Sequence, residues 1–155
     1  MAKISTSLYL SSDEINDLMR TESRLRIATI GLGGEINLTP MTFGWGNGKV
    51  YIFGRGQKIA DLRRNNTATV LVDVGFEWRA LKGIMMRGHA HILETSEDEI
   101  ADQNLGDAQL NLGEKHNLIK DGAIIPYAPT ASGKSRRWIV FTPTKVISWN
   151  NEKLN

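Results

Sequence analysis

The sequence contains no cysteine. This absence excludes disulfide-stabilised scaffolds, thiolate zinc sites, iron–sulfur clusters and enzymes with a cysteine nucleophile. Any redox chemistry in this chain therefore requires a bound cofactor.

Long hydrophobic runs and an excess of one charge are also missing. The first ten residues lack the apolar core of a signal peptide, and no stretch approaches the roughly 18 apolar residues of a membrane-spanning helix. We therefore expect a cytoplasmic protein without membrane contacts. The 19 Lys and Arg against 17 Asp and Glu leave a net charge of +2, which gives no support to nucleic-acid binding.

What is present is typical of one folded domain. The chain has 155 residues, of which 41% are hydrophobic and 23% are charged. A single domain over residues 1–155 with one compact core is expected at this length.

Local patterns predict helices at the periphery of a set of strands. Ser11 with Glu14 forms a capping-box pattern before a helix to about Glu22. Asn47-Gly48 is a strong hairpin signal. Further helices are expected over 57–65 and, after a second capping-box pattern at Ser96 and Glu99, over 100–120. The predicted strands are 24–30, 35–45 with Pro40 at an edge or bulge, 49–53, 67–74, 79–94 with bulges or close approach at its glycines, 138–141 and 145–149.

These elements predict a mostly β fold with peripheral helices. The strands follow one another as an antiparallel meander, and the βαβ rhythm of a doubly wound sheet is missing. A barrel is the most economical arrangement at this size. The stretch 121–135 is expected to be a loop, and Thr142-Pro143 is expected to form a turn between the last two strands.

The segment Gly54-Arg55-Gly56-Gln57-Lys58 is a candidate phosphate site. It joins a strand end to a helix start, where free N–H groups and the helix dipole favour an anion. Arg55 and Lys58 add charge-assisted donors for phosphate oxygens. A solvated turn with charged residues is an equally good interpretation of the composition alone.

Other motifs predict no chemistry. Residues 128–135 resemble the end of a Walker A loop, but they lack its first glycine and precede a strand-like run rather than a helix. His89 and His91 share a strand face without a third ligand, so no metal site is expected. His116 lies among polar residues and is expected to be solvated.

The order of the segments along the whole chain resembles the pyridoxamine-phosphate-oxidase-like, flavin-binding split-barrel family. The resemblance rests on residues 26–31, 38–43, 51–65, 83–94 and the tail 145–154, although Asp61 and Asn66 replace the usual Asn and Asp. It implies an antiparallel split β-barrel of about six to seven strands, FMN as cofactor, and a homodimer with the cofactor between its subunits. The basic and aromatic C-terminal pattern of true pyridoxamine-phosphate oxidases is missing, so vitamin B6 synthesis is not predicted.

The resemblance also implies the cofactor-binding residues. The backbone of one strand would contact the flavin pyrimidine edge, a second strand would line the ring and ribityl chain, and the loop and helix after it would bind the phosphate. An aromatic residue of the partner subunit would complete the groove, together with residues near Trp78. In that order the residues are Met41, Thr42 and Phe43; Ile52, Phe53 and Gly54; Lys58 helped by Arg55 and Gln57; and Trp138. No catalytic side chain is assigned.

Three functions follow as hypotheses. The first is an oxidoreductase that transfers a hydride between FMN and a small molecule, whose pocket is expected in loops 76–79 and 123–135. The second uses an 8-hydroxy-5-deazaflavin coenzyme, whose acidic tail would follow a basic track of Arg63, Arg64, Lys134 and Arg136. The third is a non-catalytic flavin- or haem-binding module, with His89 or His91 as the haem ligand.

Overall fold

The computed structural model describes residues 4–121, 123–124 and 136–154. Within these residues the helices are α1 Ser12–Thr21, α2 Gln57–Arg64, α3 Ser96–Ala101 and α4 Leu105–Lys115. The strands are β1 Arg24–Ile30, β2 Ile36–Thr42, β3 Gly44–Gly46, β4 Lys49–Gly54, β5 Thr67–Val74, β6 Lys82–Leu93, β7 Ile119–Lys120, β8 Ala123–Ile124 and β9 Arg137–Asn150. No helix in this part of the chain is long and apolar enough to cross a membrane.

Seven of the described strands form one strongly curled antiparallel sheet, a half-barrel with the order β2-β1-β5-β6-β9-β4-β3. The strands β7 and β8 pair separately. The prediction of a mostly β, antiparallel split barrel with peripheral helices is therefore confirmed.

Short-range signals in the sequence locate several elements correctly. Ser11 and Glu14 form the predicted capping box at the start of α1. Asn47 and Gly48 join β3 to β4 with φ angles of 48° and 74°, as a tight hairpin requires. Pro40 lies in β2, which is an edge strand and pairs with β1 alone in this sheet. Proline is tolerated there because an edge strand has hydrogen-bonding groups that need no neighbour in the sheet.

The predicted turn at Thr142-Pro143 is wrong, because β9 runs through it as one strand. The register between β6 and β9 shifts between Arg87 and Gly88, and Pro143 pairs opposite Gly88. The bulge interrupts the ladder where proline cannot donate a hydrogen bond. Gly88 is needed there because a Cβ atom would overlap the carbonyl oxygen of Thr142.

Two further boundaries differ from the sequence expectation. The predicted strand 35–45 is divided into β2 and β3, and the predicted helix 100–120 is divided into α3, α4 and β7. The second capping box uses Thr95 and Asp98, one residue earlier than predicted. Most of the predicted loop 121–135 lies outside the described residues, as does the Walker-like segment 128–135.

Two hydrophobic clusters lie on opposite faces of the curled sheet. The larger fills the concave face beneath α1 and α2 and includes Leu25, Phe43, Ile52, Ile59 and Phe141. The smaller lies beneath α4 and consists of Tyr51, Leu93, Leu105, Ala108, Leu112, Trp138 and Val140, with Phe53 packed against it. The strands β4 and β9 contribute to both clusters because their successive side chains point to opposite faces.

Candidate functional site

The junction between β4 and α2 is open to an anion. Gly56 is the N-cap of α2 and has a φ of +80°, a conformation that side chains with a Cβ rarely adopt. The first backbone bonds of the helix run from Ile59 N and Ala60 N to Gly56 O, at 3.1 and 3.5 Å. The N–H groups that precede them are therefore directed out of the helix end, where its dipole favours negative charge.

Two cations lie at this helix end. Arg55 is exposed and Lys58 is half-buried, and Lys58 Nζ donates to the carbonyl oxygen of Arg55 at 2.9 Å. Among the described residues neither side chain forms an ion pair with a carboxylate. Burial and the charge of Arg55 lower the pKa of Lys58. A phosphate group would relieve this repulsion between like charges.

Side chains of three elements converge over Gly54. A Cβ atom at this position would lie 3.3 Å from Lys58 Cδ, 3.3 Å from Ile139 Cδ1 and 3.6 Å from Met41 Cε. Met41 of the edge strand β2 therefore lies beside the candidate phosphate loop, residues 54–58, whereas its predicted contact was with the pyrimidine edge of a flavin. Glycine at this buried position lets the three side chains approach the backbone of β4 closely.

Trp138 lies beside this junction in the same subunit. It pairs with Phe53 across β4 and β9, and the two rings stack with centroids 4.9 Å apart and an interplanar angle of 30°. Trp138 is 7% exposed and packs in the cluster beneath α4. Trp78, the other residue expected to reach the cofactor from the partner subunit, is 64% exposed.

The remaining predicted residues of β2 and β4 are less open. The side chains of Phe43 and Ile52 are fully buried in the larger core cluster, so any contact they make with a cofactor must use backbone atoms. The carbonyl oxygen of Phe43 already accepts a hydrogen bond from Lys115 Nζ. Thr42 is half-buried at the end of β2.

Asp61 organises α2, the helix that begins at the candidate phosphate loop, and no sequence pattern predicts this role. It is fully buried, and its carboxylate accepts hydrogen bonds from Thr29, Asn37, Gln57 and Arg64 at 2.8–3.0 Å. Burial raises the pKa of Asp61, but these donors outweigh it and lower the pKa to about 2. The network fixes α2 on β1 and next to β2.

This network also gives Gln57 a role other than the predicted one. Its amide nitrogen donates to Asp61 Oδ1 at 2.8 Å, so the side chain is held back along α2. The side chain of Gln57 therefore ties the first turn of α2 to Asp61.

Two of the four cations in the predicted basic track form ion pairs with carboxylates. Arg63 donates to both carboxylate oxygens of Glu94 at 2.7 Å, and Arg64 pairs with Asp61 at 3.0 Å. Lys134 lies outside the described residues.

The histidines on β6 are open to solvent. His89 and His91 are exposed on β6, and no cluster of three metal-ligating side chains occurs in the described part of the chain. The expectation that His116 is solvated is wrong in one respect. Its side chain is half-buried at the end of α4, and Nε2 is enclosed without a hydrogen-bond partner among the described residues.

The curled half-barrel defines a split-barrel protein, and the cationic glycine loop is its candidate anion site. A family model described as pyridoxamine 5'-phosphate oxidase matches residues 11–150. The chain belongs to this family, which has a flavin-binding fold and includes flavin- and deazaflavin-dependent oxidoreductases. No curated protein matches the sequence significantly.

Solved structures share the fold at low sequence identity. A conserved hypothetical protein from Mycobacterium tuberculosis has a TM-score of 0.77 and 24% identity, covering 99% of this chain and 92% of that one. HutZ, the haem storage protein from Vibrio cholerae, has a TM-score of 0.65 and 14% identity, with coverages of 91% and 97%. An F420 reductase has a TM-score of 0.62 and 17% identity, with coverages of 85% and 94%. These similarities concern the fold alone.

Proposed function

We propose that this chain is an FMN-dependent oxidoreductase that acts as a homodimer and transfers a hydride between bound FMN and a small molecule. The observation that carries the proposal is the pair of cations, Arg55 and Lys58, at the open N-terminus of α2. Together with membership in a flavin-binding family, it favours a cofactor that ends in a phosphate.

The residues present fit such a cofactor. Lys58 and Arg55 would hold the phosphate, with the backbone N–H groups at the start of α2. The ribityl chain would pass along the end of β4, near Gly54 and Met41. The flavin ring supplies the atom that accepts or gives the hydride, while the protein binds and orients it. No described side chain has to act as an acid or a base.

A deazaflavin coenzyme is the second candidate, because an F420 reductase shares the fold. Its phosphate would use the same cations. Its acidic tail would need further cations, and the ion pairs of Arg63 with Glu94 and of Arg64 with Asp61 disfavour this. We therefore place FMN first.

Exposed aromatic residues support the proposed dimer. Phe76 is 94% exposed and Trp78 is 64% exposed on the segment between β5 and β6. This segment is held in place, since Asn151 Nδ2 donates to Trp78 O at 2.8 Å. Ordered aromatic side chains are enriched at interfaces. Sedimentation of the purified protein as a monomer at micromolar concentration would contradict this part of the proposal.

Titration of the protein with FMN, riboflavin and the deazaflavin coenzyme tests the cofactor. We expect saturable FMN binding, and we expect Lys58→Ala to weaken it by about 10- to 150-fold, the equivalent of about 1.5–3 kcal/mol. Riboflavin lacks the phosphate, so its affinity should not change in this variant. Lys145→Ala removes an exposed lysine of β9 and serves as the control.

The other outcomes of the titration are also informative. Equal FMN affinity in the Lys58→Ala variant would discard the phosphate site. Binding of the deazaflavin coenzyme alone would select the second candidate. A Soret band in the purified protein would indicate haem, and binding of no cofactor would reject the oxidoreductase.

A further inference from the structure

Asn111 of α4 links two elements that are distant in sequence. Its amide nitrogen donates to the carbonyl oxygen of Arg20 at 3.1 Å, and its amide oxygen accepts from the backbone N–H of Trp45 at 2.9 Å. The side chain is 2% exposed. The last turn of α1 and the strand β3 are therefore both tied to α4.

Lys115 lies one helical turn further along the same face of α4 and links α1 to the residue that precedes β3. Its Nζ donates to Met19 O at 2.7 Å and to Phe43 O at 3.1 Å. The ammonium also lies 3.5 Å from the centroid of the Phe43 ring. We call Asn111 and Lys115 the α4 clamp.

Direct backbone contact reinforces the α4 clamp. A Cβ atom at Gly44 would overlap the carbonyl oxygen of Ala108, and one at Gly46 would lie 2.9 Å from the carbonyl oxygen of Asn104. Glycine at both positions lets β3 lie against α4 without a side chain between them. The position of residues 43–46 is thus set by α4.

The segment held by the α4 clamp leads directly into the candidate site. Phe43 is two residues from Met41, whose Cε is among the atoms nearest to Gly54. α4 itself contributes no residue to the phosphate loop. Trp138 and Phe53 pack beneath α4, but the hydrogen bonds of the α4 clamp reach the site through residues 41–43.

We propose that Asn111 and Lys115 are positioning residues of the cofactor site, which fix residues 41–43 for contact with the flavin ring, and that the charge on Lys115 makes this contact depend on pH. The inference rests on the proposed function, because it names the residues that adjust the same site. Asn111 and Lys115 would act at the ring end of the cofactor, whereas the candidate phosphate loop would act at its phosphate.

The surroundings of Lys115 explain the pH dependence. Burial and the guanidinium of Arg20 lower the pKa of Lys115 to about 7, and the carboxylate of Glu22 acts in the opposite direction. Arg20 and Glu22 are the charged groups at the end of α1 that act on Lys115. Loss of the proton weakens the bond to Phe43 O, because a charge-assisted bond is about twice as strong as a neutral one.

Riboflavin affinity between pH 6 and 8.5 tests the inference without any contribution from the phosphate. We expect wild-type affinity to fall about 3- to 10-fold over this range. Lys115→Met should bind riboflavin and FMN more weakly by a similar factor, about 5- to 30-fold, and its riboflavin affinity should not depend on pH. Lys115→Arg keeps the charge and should restore part of the affinity.

Lys153→Met is the matched control. Lys153 is also half-buried, and its Nζ donates to Tyr9 O at 2.9 Å and to Glu14 Oε2 at 2.8 Å, near the other end of α1. Its loss should lower stability and leave flavin affinity unchanged.

Each result decides between the two proposals. If wild-type protein binds neither flavin, the proposed function fails. If it binds both, and Lys115→Met retains wild-type affinity, the α4 clamp has no role in the site. A flat wild-type riboflavin profile overturns the inference even if Lys115→Met does not fold.

Discussion

Asp61 is a buried carboxylate and Lys115 is a half-buried ammonium group, and the two differ in the partners that surround them. The carboxylate of Asp61 receives hydrogen bonds from four side chains, one of which is the cation of Arg64. The ammonium of Lys115 has two neutral carbonyl partners, and Arg20 is a like charge nearby.

The consequence appears in their ionisation. The pKa of Asp61 is about 2, so the carboxylate keeps its charge at any physiological pH. The pKa of Lys115 is about 7, so its charge is easily lost. A buried charge is secured by the number and sign of its partners. Asp61 therefore suits a permanent structural role, and Lys115 suits an adjustable one.

Of the substitutions that test this comparison, removal of the Asp61 carboxylate should lower the free energy of unfolding the most. Asp61→Ala leaves Thr29, Asn37 and Gln57 without their acceptor and Arg64 without its counter-ion. We expect a loss of about 3–5 kcal/mol in the free energy of unfolding, measured by urea denaturation. A loss below about 1 kcal/mol would mean that water replaces the carboxylate without cost.

The pH dependence of stability should separate Lys115 from Asp61. In the native state Lys115 has a pKa of about 7, whereas in the unfolded chain the value is near 10.5. Between these values the unfolded state binds a proton that the native state does not, so stability rises with pH, by at most about 1.4 kcal/mol per unit. Below pH 7 both states are protonated and the contribution is constant.

Urea denaturation at pH 7, 8 and 9 measures this rise. Lys115→Met should show a smaller slope than the wild type. Because Lys58 also has a lowered pKa, only the difference between the two proteins reports on Lys115. Parallel slopes would show that Lys115 keeps its proton in the native state.

The smallest effect is expected at an exposed ion pair, which gives the reference for the buried carboxylate of Asp61 and the half-buried ammonium of Lys115. Arg26 and Asp73 are 2.5 Å apart, with their side chains 51% and 46% exposed. Asp73→Ala should change the free energy of unfolding by only about 0.2–1 kcal/mol. If Asp73→Ala lowered the free energy of unfolding as much as Asp61→Ala, burial would not explain why the two carboxylates differ in their contribution to stability.

The sequence alone was sufficient to predict those features that depend on residues close together in the chain. The capping box of Ser11 and Glu14, the Asn47-Gly48 turn and the cationic loop at Gly56 are each encoded within a few positions. It was insufficient at Pro143, where a strand continues because Gly88 of another strand provides the bulge.

The same reason explains which site residues were missed. The donors to Asp61 come from β1, from β2 and from α2 itself, so the network exists only after the sheet has formed. Lys115 lies at the end of a helix weakened by Gly106 and Gly113, and its partners at positions 19 and 43 are 96 and 72 residues away along the chain. No local pattern marks either role.

The glycines of β3 have a consequence for how the sequence can vary. Since main-chain atoms set the distance between α4 and β3, residues on the exposed face of the helix, such as Leu110 and Glu114, bear no part of that contact. Substitutions can accumulate there without moving Phe43. Related chains should therefore differ freely on the outer face of α4 while retaining small residues at positions 44 and 46.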